Sequence, residues 1–181
     1  MYQLQGKAER VTTTQQPDLQ AFLSELAAER LAILQRHEAG ARAVGNYDFN
    51  NTYQYIISRE ETHLTWLQNA LAELGLTLPP AATALPAPEA PKVGKTPAAA
   101  AFQPILEDEA RMLGAFVDRW RPRLEPMTHA RHRTMLDVVL GESLEHRRLF
   151  EQAADGFEDV LGRRTIGAER VGAVLPARWM E

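Results

Sequence analysis

Ionisable side chains interrupt the apolar stripe of a long predicted helix. In a helix that faces a protein core, apolar residues recur in steps of three and four. The clearest stripe, in which two of seven positions are ionisable, is Tyr53, Ile56, Glu60, His63, Leu67, Leu71 and Leu74. Glu60 and His63 lie one turn apart on one face, so both side chains can reach one metal ion. Carboxylate oxygen and imidazole nitrogen are ligands that suit iron or manganese.

Three other segments show the same anomaly, each with a glutamate on its apolar side. The first stripe contains Glu29 and the third contains Glu109. The fourth, in which Glu145 flanks the same face, is Met135, Val138, Glu142, His146, Leu149 and Ala153. One glutamate on an apolar stripe usually lies at the rim, with its charge in water. Four are harder to explain in this way, because a buried carboxylate without a partner is strongly unfavourable.

Such an interior needs positive charge, and the stripes offer no lysine or arginine. We therefore expect a pair of metal ions to supply that charge. His37, near the end of the first helix, is expected to be a hydrogen-bonded core residue outside the site. His129 and His132 are expected to lie on the surface.

Four helices must position these side chains. They are predicted over residues 18–39, 49–74, 99–121 and 126–161. Gly75 is placed to end the second helix, and Pro122 is expected to stop the third. Residues 1–17 form an N-terminal extension, residues 18–162 the helical domain, and residues 163–181 a C-terminal tail.

The connection between the second and third helices, residues 76–98, is long and rich in proline and alanine. Proline excludes helix and favours an extended path, which can span a helix of about 33 Å. The other two connections are short, which makes the helices that they join antiparallel. The sequence thus predicts an all-α antiparallel four-helix bundle in the ferritin-like arrangement, with one long crossover. The alternative is two independent helical hairpins.

Composition excludes several classes of site. The 181 residues carry a net charge of −4 and no basic face that would favour nucleic acid. The absence of cysteine excludes disulfides, zinc ribbons and thiol chemistry. We see neither the apolar region of a signal peptide nor an apolar run of about 18 residues, so we expect a cytoplasmic protein without membrane contact.

The helical segments resemble the rubrerythrin branch of the ferritin-like superfamily. Residues 59–75, REETHLTWLQNALAELG, are similar to the second helix of that branch. Glu29 and Glu109 resemble its ligand positions in the first and third helices. The resemblance covers residues 19–160 and implies the ferritin-like fold.

The resemblance also implies two bound iron ions, or manganese, with Glu60 and Glu142 as the bridging, catalytic carboxylates. The full implied ligand set is Glu29, Glu60, His63, Glu109, Glu142 and His146. In the fourth helix the histidine follows Glu142 by four residues, where the Glu-x-x-His pattern has three. An i, i+4 pair can still share a face, and Glu145 is an alternative or additional ligand.

An oxidoreductase that acts on dioxygen or peroxide is the function that the resemblance implies. Electrons would come from another protein or from ferrous iron itself, because the chain has no cysteine-based rubredoxin module. The alternatives are a ferroxidase or iron-storage subunit, and a structural or partner-binding bundle with a degenerate metal site. A homodimer is expected by analogy with the superfamily.

Overall fold

The computed structural model describes residues 19–89, 98–157 and 159–162, which contain four α-helices and no strand. They are α1 (Leu19–Ala43), α2 (Tyr47–Glu73), α3 (Gln103–Leu124) and α4 (Ala130–Ala154), with a short 3-10 helix at Ala99–Phe102. The predicted all-α fold is confirmed. The predicted N-terminal extension, the predicted C-terminal tail and residues 90–97 of the predicted crossover lie outside the described residues. No described helix is long and apolar enough to cross a membrane.

Local sequence explains both ends of α2. The side chain of Asn46 accepts a hydrogen bond from the Phe49 N–H at 3.0 Å, which satisfies a free donor of the first turn. Gly75 follows the last turn with a φ of 75°, in the left-handed region that glycine adopts without strain. The predicted end of this helix is confirmed.

The later helices differ from their predicted bounds. α3 continues through Pro122 to Leu124, because a proline in the last turn removes only one backbone donor from the helix. α4 begins at Ala130 and ends at Ala154, seven residues before the predicted end. Gly156, with a φ of 89°, turns the chain out of the helix there.

Polar contacts join α1 and α2 at both ends of this helix pair. The Asn50 amide, near the start of α2, donates to the carbonyl of Ala41 near the end of α1 at 2.6 Å. At the other end of this pair, the Gln20 amide donates to the carbonyl of Leu74 at 3.3 Å. These two contacts place the start of α1 beside the end of α2.

Ion pairs join the other helices. Arg123 of α3 lies 2.6 Å from Glu25 of α1. Arg131 of α4 lies 2.8 Å from Glu73 of α2, and the rings of Phe150 and Tyr53 are 5.0 Å apart. The start of α4 therefore lies beside the end of α2.

The described part of the segment between α2 and α3 contacts α1. The Ala82 N–H donates to the carbonyl of Ala28 at 2.8 Å, and Arg36 donates to the carbonyl of Pro86 at 2.8 Å. Later residues of this segment therefore contact later residues of α1.

α1 and α2 approach each other closely at Gly40. A β-carbon at that position would lie 2.7 Å from the Tyr53 ring, so only glycine fits without a shift. Tyr53 is itself fully buried, and the core around it draws on all four helices.

Candidate site in the bundle core

Charged and polar side chains from all four helices meet inside the bundle. We call them the core ionic cluster: Arg30, Arg36, His37, Arg59, Glu60, His63, Asp108, Glu109, Glu142, Ser143 and His146.

Arg30 of α1 lies at the centre of the cluster, with no exposed surface. Its Nη1 donates to Ser143 Oγ at 2.9 Å, and its Nη2 donates to His63 Nδ1 at 2.8 Å. The same Nη2 lies 3.3 Å from Glu60 Oε1. Burial lowers the pKa of Arg30 while Glu60 opposes this, and a guanidinium stays charged at neutral pH. The expectation of an interior without arginine is therefore wrong.

Glu60 of α2 is fully buried and ionised. Burial opposes ionisation, but Arg30 and His37 hold the pKa of Glu60 well below its usual range. His146 Nδ1 lies 3.8 Å from Glu60 Oε1. None of these neighbours has the geometry of a hydrogen bond to Glu60, so both of its oxygens lack a donor.

His37 of α1 lies between two carboxylates rather than outside the site, which corrects its expected place. Its Nδ1 is 3.1 Å from Glu60 Oε2, and its Nε2 is 3.4 Å from Glu109 Oε2. Burial lowers the pKa of His37, but Glu60 and Glu109 outweigh burial and raise it to about 9. The ring is therefore protonated at neutral pH. Its place four residues after the apolar Ile33, one helical turn along α1, is the signal in the sequence that indicates an interior position.

His63 of α2 is neutral, and its contacts define the tautomer. Because Arg30 can only donate, His63 Nδ1 must accept, so the proton lies on Nε2. That Nε2 donates to Glu142 Oε2 at 3.0 Å. Burial and the charge of Arg30 lower the pKa of His63 to about 4.

Glu142 of α4 lies at the edge of the cluster, with 29% of its side chain exposed. Arg59 donates to its two oxygens at 2.9 and 2.6 Å. These bonds lower the pKa of Glu142, while partial burial opposes the shift. The carboxylate is thus held by Arg59 and by His63.

Glu109 of α3 is fully buried and accepts from α1 and α2. Arg36 Nε donates to its Oε2 at 3.0 Å, and the Tyr53 hydroxyl donates to its Oε1 at 3.4 Å. Arg36 also pairs with Asp108. Arg36 is buried as well, so the interior contains a second arginine that the stripes did not indicate.

Glu29 and Glu145 do not join the cluster. Glu29 accepts from Arg119 at 2.7 Å and from Trp120 Nε1 at 2.8 Å, between α1 and α3. Glu145 is 31% exposed and lies 3.8 Å from Arg148.

Stripe positions such as Ile33 of α1 and His146 of α4 are buried as predicted, but on each helix the residue after the stripe glutamate lies in the interior in its place. Arg30, not Glu29, faces the core of α1, and Ser143, not Glu142, faces the core of α4. Val138 of the predicted fourth stripe is 41% exposed, and Val139 is buried in its place. Residue type and spacing do not predict the role of Ser143, because a serine gives no metal-ligand signal in a sequence.

The cluster as arranged does not fit a pair of metal ions. Its carboxylates, Glu60, Asp108, Glu109 and Glu142, are matched by Arg30, Arg36, Arg59 and protonated His37. In the described part of the chain, no three side chains from histidine, aspartate or glutamate converge as metal ligands.

Outside the cluster, His132 is 5% exposed, so its expected surface position is wrong. Its Nδ1 lies 2.8 Å from Nδ1 of the exposed His129. His132 borders a groove of about 410 Å³ between α2 and α4, to which Trp66, Met135 and Val138 contribute apolar surface.

Neither protein-family models, nor curated proteins, nor solved structures match this chain. Its function must therefore be argued from the core ionic cluster itself.

Proposed function

We propose that the four helices form the ferritin-like antiparallel bundle, with α2 and α3 parallel. The contacts between Gln20 and Leu74 and between Asn50 and Ala41 support an antiparallel α1–α2 pair. The pairs Glu25–Arg123 and Arg36–Glu109 support the opposite direction of α3 relative to α1. The crossover is supported by its successive contacts along α1, at Ala28 and Arg36.

Within this bundle, we propose a structural or partner-binding role that does not depend on metal. The observation that carries the proposal is the position of Arg30. Its guanidinium is hydrogen-bonded to Ser143 and His63 and paired with Glu60, where the sequence predicts metal ions that balance the carboxylates.

Charge explains why this arrangement disfavours a metal pair. Two divalent ions would add roughly four positive charges next to the buried Arg30. The repulsion between these charges and the guanidinium would be little screened inside the protein. Protonated His37 would add to that repulsion, since it lies between Glu60 and Glu109. The cluster is balanced by its own side chains, so the bundle is expected to fold in the absence of metal.

Anaerobic titration with ferrous iron, followed by oxygen, tests this proposal. The chain and its Glu60→Gln variant would be desalted and analysed for iron, and helicity would be compared before and after dialysis against EDTA. We expect no retained iron, iron oxidation no faster than in buffer, and unchanged helicity in the parent chain. About two iron ions per parent chain, lost in Glu60→Gln, would contradict the proposal.

A dinuclear iron or manganese oxidoreductase is the second candidate, and one observation favours it. Both oxygens of Glu60 and the Nδ1 of His146 are buried without a hydrogen-bond partner, as metal ligands would be in the absence of their ion. Glu60, His63, Glu109, Glu142 and His146 would hold the metals, which supply the oxidation chemistry when bound.

This candidate requires the guanidinium of Arg30 to leave its present position. If the protein is this oxidoreductase, we propose that it acts as a homodimer and receives electrons from a separate donor protein. Peroxide turnover would indicate the oxidoreductase, and growth of a ferric core would indicate a ferroxidase or storage subunit.

A further inference from the structure

Two positions in the core depart from a known ligand pattern. Di-iron and di-manganese bundles take one glutamate from each of two helices and a Glu-x-x-His pair from each of the other two. Here α2 supplies Glu60 and His63, and α3 supplies Glu109. α4 supplies His146, but the residue three positions earlier is Ser143. On α1 the interior residue is Arg30.

Arg30 and Ser143 are adjacent as well as buried. Arg30 Nη1 donates to Ser143 Oγ at 2.9 Å, and Ser143 Oγ donates to the carbonyl of Val139 at 2.7 Å. The two positions at which this chain departs from the pattern are therefore in direct contact, on helices from opposite halves of the sequence.

We infer that Nη2 of Arg30 occupies the position of a metal ion, and that residues 30 and 143 stand at the two missing ligand positions. Nη2 lies 2.8 Å from His63 Nδ1 and 3.3 Å from Glu60 Oε1. The lone pair of His63 Nδ1 points at it, since that nitrogen accepts its hydrogen bond. The same two atoms could bind a metal at about 2 Å after a small inward shift.

The inference rests on the proposed metal-independent function, and it predicts that a metal site can be restored. The Arg30→Glu side chain is two bonds shorter, which leaves room for an ion beside Glu60 and His63. It also replaces a positive charge by a negative one, so the core then requires a cation. The Ser143→Glu change completes the Glu-x-x-His pair with His146.

Cobalt(II) is the probe, because its visible absorption reports coordination by protein ligands. We expect Arg30→Glu to bind about one Co²⁺ per chain and Arg30→Glu/Ser143→Glu about two, each with metal-dependent helicity that EDTA reverses. Arg30→Gln is the matched control, because its side chain is as long as that of Arg30→Glu but uncharged. It should bind Co²⁺ at least about tenfold more weakly than Arg30→Glu. Adding Glu60→Gln to Arg30→Glu should abolish binding.

The outcomes separate the two proposals. Co²⁺ binding by the parent chain would contradict the proposed function. With a metal-free parent, an Arg30→Glu variant that folds without binding Co²⁺, or stays unfolded at saturating Co²⁺, would overturn the inference. A double variant that binds no second ion would overturn the assignment of residue 143.

Discussion

Arg30 and Glu60 form an ion pair in the centre of the bundle, with Nη2 and Oε1 3.3 Å apart and neither side chain exposed. The desolvation of two such charges is offset only when the remaining donors and acceptors are also bonded. Arg30 meets this condition in part through His63 and Ser143, although its Nε has no partner. Arg30 and His37 therefore supply the positive charge that faces Glu60.

Replacement of Arg30 by methionine should destabilise the fold strongly. The change leaves the Glu60 carboxylate buried with only His37 as a close cation, which costs about 3–5 kcal/mol. Urea denaturation followed by circular dichroism measures the effect. Arg119→Met is the matched control, because Arg119 is 57% exposed and pairs with Glu29 at the surface, where a loss below about 1 kcal/mol is expected.

A second substitution tests whether charge is the cause. Arg30→Met/Glu60→Gln removes both charges and should recover part of the stability lost in Arg30→Met. If the double variant is less stable than Arg30→Met by the full cost of Glu60→Gln alone, the two residues are not coupled and the pair has no special role.

Stability should fall in mildly alkaline solution because of His37. Its pKa rises from the ordinary value of 6.5 to about 9 in the folded chain, so its contribution is complete below about pH 6.5 and is lost as pH rises through about 9. A shift of this size corresponds to about 3 kcal/mol. Glu60 of α2 and Glu109 of α3 face the His37 ring. Arg30 and Arg36 of α1 pair with Glu60 and Glu109, respectively.

Melting temperatures between pH 6 and pH 10 check this expectation. His37→Gln should be less stable than the parent near neutral pH. Its melting temperature should also fall less between pH 6 and pH 10 than that of the parent. His129→Gln, which changes an exposed histidine, should leave the pH profile unchanged. A parent whose stability does not fall over this range would rule out a protonated His37.

Gly40→Ala should destabilise the α1–α2 contact. The new methyl group would lie 2.7 Å from the Tyr53 ring, so the helices must separate or the ring must move, at a cost of about 1–3 kcal/mol. Gly141→Ala is the control, since that helical position is exposed and has no atom within 4 Å. It should stabilise α4 by about 0.5–1 kcal/mol. In thermal denaturation, Gly40→Ala should therefore lower the melting temperature and Gly141→Ala should raise it.

Glu29→Ala should change the environment of Trp120 and not the metal content. Trp120 is 1% exposed, and its Nε1 donates to Glu29 at 2.8 Å, so the variant leaves a buried donor without an acceptor. A loss of about 1–3 kcal/mol and a shift in tryptophan fluorescence are expected. Glu25→Ala, which removes a surface partner of Arg123, should stay within about 0.5 kcal/mol of the parent. Iron binding that is lost only in Glu29→Ala would instead support Glu29 as a ligand.

The amino-acid sequence by itself determined the four helices and much of the composition of the core. Helical periodicity places Glu60, His63, Glu109 and His146 on apolar stripes, and all four are buried. These properties depend on residues close together in the chain, such as Gly75 at the end of α2 and the proline-rich residues after it. Local interactions of this kind can be inferred from spacing and residue type.

Only the tertiary structure decided which of two adjacent residues faces the centre on α1 and α4. Neighbouring residues differ by about 100° around a helix. In α1, apolar residues lie on the face of Glu29 and on the face of Arg30, so periodicity does not select one of them. Arg30 is buried because Glu60, His63 and Ser143, from distant parts of the chain, provide its partners. An arginine without such partners would remain in water, so its position follows from the assembled bundle and not from the periodicity of its own helix.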